Sequence, residues 1–137
     1  MKEYLFKYRE AYRNIGESME EFHRLGEELT ATGAILRGDP VQSSRDPDKM
    51  ARLIEKHVDM EREIESEFEE LIKFRYEVLQ MIRSLPDLKQ QEVLRRRYMM
   101  NKTWEQIAED MDISDKWVYV LHGRALQEIE KILDNGQ

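Results

Sequence analysis

Two stretches of this 137-residue chain lack proline and space their apolar side chains in steps of three and four. That spacing is the strongest limit on what the chain can fold into. In residues 2–29 the series is Leu5, Tyr8, Tyr12, Ile15, Met19, Phe22 and Leu29, with Gly26 as its one break. It is a single helical stripe close to a heptad seam. At the rise of an α-helix the segment is roughly 40 Å long, more than one compact core of this size covers, so it needs a partner helix. From Met50 the same spacing runs through Ile54, His57, Glu61, Ile64, Phe68, Leu71, Arg75, Val78, Ile82 and Leu85, and it is weakest at His57 and Glu61.

Between the stripes, residues 30–47 read TATGAILRGDPVQSSRDP. Gly33, Gly38, Pro40, Ser43, Ser44 and Pro47 interrupt the periodicity and mark a linker. Asp46-Pro47 reads as an N-cap followed by proline at the first helical position, where a missing N–H costs nothing. Pro86 closes the second helix, because its ring clashes with a continuing one and biases Leu85 away from the α region. The expectation for residues 1–85 is a long helical hairpin or coiled coil, with acidic runs such as EREIESEFEE as its solvated face.

Composition narrows the chemistry. There is no cysteine, so disulfides, thiol nucleophiles and Cys-type zinc sites are excluded. With 22 Lys and Arg against 29 Asp and Glu the formal charge is −7, which argues against unselective binding to polyanions. No apolar run approaches the roughly 18–20 residues of a membrane span, and MKEYLFKYRE carries charges where a signal peptide needs apolar residues. No membrane association is expected, and the cytoplasm is the expected compartment. No Ser-His-Asp order, P-loop or dinucleotide glycine pattern is present. Glu20 and His23 form a single Glu-x-x-His pair, whereas a di-iron bundle needs a second one and further carboxylates. No catalytic residue, metal or cofactor is therefore expected.

Residues 86–137 carry the specific signal. They divide into a helix around Leu88–Met99, a short helix from Thr103 to Met111, a tight turn, and a helix from Ser114 to about Leu133, which is the helix-turn-helix layout. Ala108 falls where the two later helices cross, Ile113 follows the turn, and Val118 and Leu121 return to the core at helical intervals. The turn position is Asp112, one of the few non-glycine residues that tolerates positive φ. Thr103 and Ser114 are suited to capping their helices, and Asn135-Gly136 reads as a C-cap.

LRRRYMMNKTWEQIAEDMDISDKWVYVLHGRALQEIEKIL resembles region 4 of bacterial sigma factors. The whole chain is similar to a family of small phage-encoded, sigma-like regulators related to late-gene activators. The shared features are the KEYL-type first helix, the Ser/Pro linker, the acidic middle helix, the Leu-Pro break, RYxxxxTWEQIA and the VYxLHGRAL-type ending. The resemblance implies transcription control in the cytoplasm of a bacterial host, through double-stranded DNA and RNA polymerase.

A recognition helix offers its exposed N-terminal residues to the major groove, here Asp115, Lys116, Trp117, Tyr119 and Val120, with Gly123 and Arg124 a turn later. Phosphate contacts are expected from Lys102 and the Thr103 hydroxyl at the start of the second of these helices and from some of Arg95, Arg96 and Arg97, and Ser114 is counted among the DNA-binding residues. Asp115, Tyr119 and Val120 stand where sigma factors often carry basic residues, so guanine readout by arginine is not supported there. Asp115 suits a cytosine amino group and Val120 a thymine methyl. Plainer readings stand beside these. Arg95–Arg97 can be a solvated face, Trp104 can be core, His122 can be a packing residue, and Trp117 can meet DNA, polymerase or the chain's own helices.

The expectation is thus an all-α protein, with a hairpin over 1–85 and a helix-turn-helix over 86–137. It is expected to act as a DNA-binding regulator without catalysis and to assemble as a homo-oligomer, with a dimer favoured. Two alternatives differ in class. One is a small-terminase-like adaptor for phage DNA packaging, and the other a helix-turn-helix that binds protein without DNA affinity.

Overall fold

The computed structural model describes residues 1–36 and 47–136. It is all-α, with no strand among the described residues. The elements are α1 (Lys2–Leu36), α2 (Pro47–Arg83), α3 (Leu88–Leu94) running on into a π-helical turn (Arg95–Met99), α4 (Trp104–Met111) and α5 (Asp115–Asn135). No helix among the described residues is long and apolar enough to cross a membrane.

Helix α1 continues past Leu29 to Leu36, into the stretch read as linker. A glycine inside a helix costs only about 1 kcal/mol relative to alanine, so Gly33 weakens the helix without ending it. Thr30 bonds back into the helix, its hydroxyl donating to the Gly26 carbonyl at 3.0 Å. The rest of the linker, residues 37–46 with the expected Asp46 cap, lies outside the described residues. Pro47 is the first residue of α2, and α2 ends at Arg83, ahead of Pro86.

The chain forms two compact units, Met1–Ala11 with Leu71–Gln137, and Tyr12–Glu70. Sequence periodicity places a boundary at residue 85, whereas packing assigns the first turns of α1 and the last turns of α2 to the same unit as α3–α5. The reason lies in buried area: Leu5, Tyr8, Val78, Ile82 and Leu85 are each almost wholly buried. In this unit Tyr4 donates its hydroxyl to Glu77 at 2.6 Å and Arg75 donates to the Tyr8 hydroxyl at 3.1 Å, so the two helix ends run antiparallel. Phe74 fills the space between them, its ring 4.9 Å from that of Tyr4 and 5.3 Å from that of Tyr8.

In the second unit Phe22 of α1 stacks on His57 of α2 at 4.0 Å. Ile15 and Leu25 are buried, whereas Tyr12 and Met19, which the seam series assigns to the interior, are exposed. A straight α-helix drifts about 20° per heptad against a 3.5-residue repeat, which carries some members of a long series off the packed face.

The C-terminal helices pack around Val93, Ile107, Ala108, Val118 and Leu121, with Trp104, Met111 and Ile113 at the edge. Each start has a side-chain cap. Asp87 accepts from the N–H groups of Lys89 and Gln90, and Gln91 reaches back across Pro86 to donate to the Leu85 carbonyl at 2.6 Å. The helix expected over Leu88–Met99 is present, but its last turn widens, with Met100 N–H bonded to the Arg95 carbonyl five residues back. Gly136 caps α5 through its N–H on the Ile132 carbonyl at φ −83°, so no left-handed conformation is used there.

Candidate nucleic-acid interface

Short-range chemistry builds this site. Thr103 accepts from Gln106 N–H at 3.2 Å while the Gln106 side chain accepts from Thr103 N–H at 2.9 Å, a reciprocal capping box that fixes the start of α4. Helix α4 ends on Asp112 at φ 54°, ψ 49°, in the left-handed region expected from its sequence position. The Ile113 N–H then bonds the Ala108 carbonyl at 3.0 Å, which turns the chain sharply. Ser114 accepts from Trp117 N–H at 3.1 Å and starts α5. Ala108, 5% exposed, lies in the core shared by the two helices, where a longer side chain would force them apart.

With Val118, Leu121 and Ala125 buried, the opposite side of α5 is open. Lys116, Val120 and Gly123 follow one another at steps of four and three on that side. Lys116 and Gly123 are exposed and Val120 is partly covered. Tyr119 is 51% exposed on one flank and Trp117 39% exposed on the other. The Arg124 guanidinium lies 5.2 Å from the Trp117 ring centroid, so these two share a flank. Asp115 is exposed in the first turn, where a carboxylate favours the helix N-terminus.

The cations around α4 are less free than the sequence suggests. Asp110 accepts from Arg96 at 3.0 Å and forms an ion pair with Lys102. The Lys102 hydrogen bond, with help from Arg96, holds the Asp110 carboxyl below the usual carboxylate range. Arg96 also pairs with Glu92 at 2.9 Å. Arg97 donates to the Lys102 carbonyl at 3.0 Å and lies over the Trp104 ring at 4.0 Å. Arg95 is exposed. The three consecutive arginines therefore diverge, one toward solvent, one to carboxylates and one against an indole.

Behind Tyr119 is a half-buried aromatic layer. The Trp104 ring contacts Tyr119 at 5.0 Å and the edge of His122 at 4.8 Å. His122 Nε2 shares a 2.7 Å hydrogen bond with the Tyr98 hydroxyl. Burial, with Arg97 and Lys2 adding, pushes the His122 imidazole down to about 4, so it is neutral at pH 7. Burial likewise raises the Tyr98 hydroxyl above its ordinary value, against the pull of Arg97 and Arg9. His122 and Trp104 act as packing groups here, the plainer of the readings open to each in the sequence.

Two contributors have no signal in the sequence. Asp110 engages Lys102 and Arg96 across eight and fourteen residues, and Arg9 reaches Asn101 from the far end of the chain, with its Nη2 donating at 3.3 Å. A three-or-four-residue pattern within one helix cannot mark either pairing.

A family model described as a protein of unknown function, DUF1492, matches residues 41–130. No curated protein and no solved structure matches the chain.

Proposed function

The chain belongs to the DUF1492 family of proteins of unknown function, and we propose that this member is a sigma-region-4-like transcription regulator of phage or prophage origin. It binds double-stranded DNA through α4, the Asp112 turn and α5 arranged as a helix-turn-helix, and contacts RNA polymerase. One observation carries the reading: the first turns of α5 bury Val118 and Leu121 while leaving Lys116, Tyr119 and the flank of Trp117 open, directly after a left-handed turn at Asp112. A helix projecting its N-terminal side chains from a fixed turn is what a major groove accepts. Thr103 and Ser114 stand at helix N-termini, where backbone phosphates are commonly held.

The reading is specific about roles. Lys116, Tyr119 and Val120, with Arg124 a turn later, discriminate sequence, while Lys102 binds a phosphate. A dimer would present two such helices to successive grooves, and the native mass of the assembly tests that. Selection of bound duplexes from a random pool, followed by fluorescence anisotropy across a salt series, tests the whole proposal. The expected result is an enriched site and an affinity that falls with salt at a slope of about −0.9 per phosphate neutralised. Absence of any duplex binding near 50 mM salt would overturn it.

A second reading has its own observation. The exposed rings of Trp117 and Tyr119, beside cations already engaged by Asp110, suit a protein surface. It predicts binding to a protein partner with weak salt dependence and no enriched duplex.

A further inference from the structure

Three guanidiniums bond residues of one short turn, Met99–Lys102, and no carboxylate forms an ion pair with any of them among the described residues. Arg9 of α1 donates to Asn101 Oδ1, Arg75 of α2 donates to the Met99 carbonyl at 3.3 Å and to the Tyr8 hydroxyl, and Arg97 donates to the Lys102 carbonyl. Every acceptor is neutral. A guanidinium offers five donors, so each of the three has N–H groups beyond those bonded within the chain; the Nε atoms of Arg9 and Arg97 are buried without a partner, as is that of the carboxylate-paired Arg96.

The arginines also act on one another. Burial, followed by repulsion from Arg9, lowers the pKa of Arg97. The field of Glu105 reaches Arg97 without an ion pair. In a chain carrying seven more acidic than basic residues, this clustering needs a cause. Clamping of the Met99–Lys102 turn accounts for the hydrogen bonds made, because Asn or Gln could satisfy the same carbonyls. It does not account for the placing of Arg9 and Arg97 close enough to repel one another.

An anion accounts for it. Arginine's planar fork matches the oxygens of phosphate, and a bound phosphate would relieve the repulsion and accept from the outer Nη donors. Arg97 lies over Trp104, whose ring in turn touches the exposed Tyr119, so the cluster adjoins the open side of α5.

We propose that Arg9, Arg75 and Arg97 form a receptor for a phosphate group. Its source, a backbone phosphate of the duplex read by α5, rests on the function proposed above. Arg9 thereby extends the interface to the first helix of the chain.

The test uses the 15N-labelled full chain. The Arg9 and Arg97 Nε–H resonances are followed as inorganic phosphate replaces chloride at constant ionic strength. Both should shift, and Arg9→Gln, which retains a donor for Asn101, should abolish the shift at Arg97. Resonances that ignore phosphate overturn the proposal.

With a selected duplex, Arg9→Gln should make the salt slope shallower by about 0.9, because one fewer phosphate is neutralised, with the preferred sequence unchanged. An unchanged slope in a chain that binds DNA overturns the duplex as the source of the phosphate and leaves the DNA reading standing. Phosphate shifts without duplex binding near 50 mM salt support the receptor and remove the DNA reading. Circular dichroism confirms that the variant folds, and Arg75→Gln carries the same slope test if it does not.

Discussion

Acidification should destabilise the protein through His122, by an amount that follows from its surroundings. In the folded chain the imidazole is held neutral, because burial, with Arg97 and Lys2 adding, pushes it from 6.5 to about 4. In the unfolded chain it titrates near the ordinary value of about 6.5. The unfolded state therefore takes up its proton first. This contribution to stability is complete above about pH 6.5, is lost as the pH falls from there toward about 4, and has gone below that. At about 1.4 kcal/mol per pKa unit the whole gap is worth about 3 kcal/mol, most of it lost by about pH 4.5. Urea denaturation of the wild type and of His122→Gln at pH values from about 8 to about 4.5 measures it. Gln keeps a hydrogen-bonding partner for Tyr98 without titrating, and carboxylates common to both proteins cancel in the difference. The stability of the wild type relative to the variant should fall by about 2–3 kcal/mol across that range. A difference that stays constant with pH would refute the burial argument.

Three further outcomes are expected. Asp112→Val should cost at least about 1 kcal/mol, because a β-branched residue resists φ 54°, while Asp112→Gly should raise the melting temperature slightly. Thr103→Ala should remove half of the capping box and about 1 kcal/mol of stability, with Thr103→Ser retaining most of it; thermal or urea unfolding checks both substitutions. On the DNA-binding reading, Asp110→Asn should free Lys102 while Arg96 keeps its pairing with Glu92, so anisotropy at low salt should show tighter duplex binding with a steeper salt dependence. Unchanged binding would mean that Lys102 does not meet a duplex phosphate.

Much of the local structure was legible because its causes are local. The breaks at Pro47 and Pro86, the caps at Thr103 and Ser114, and the left-handed turn at Asp112 each depend on a handful of neighbouring residues. The end of α1 was not, since a single glycine in a long helix is too weak a signal to stop it. For the candidate site, sequence spacing identifies the side of α5 that is open. It does not show that Lys102 is paired with Asp110 or that Arg97 lies over Trp104. Those facts depend on how separate elements meet.

Sequence by itself determined that the secondary structure of the described residues is helical, where proline and capping residues start and stop those helices, and which residues lie on the open side of α5. Each of these follows from backbone sterics and a 3.6-residue period. Only tertiary structure decided that the first turns of α1 belong with the C-terminal helices, that Asp110 engages two of the cations, and that Arg9, Arg75 and Arg97 converge on one turn. Such pairings join residues as far apart as position 9 and position 101. No periodicity encodes them, because they depend on how separate helices pack rather than on how any one helix forms.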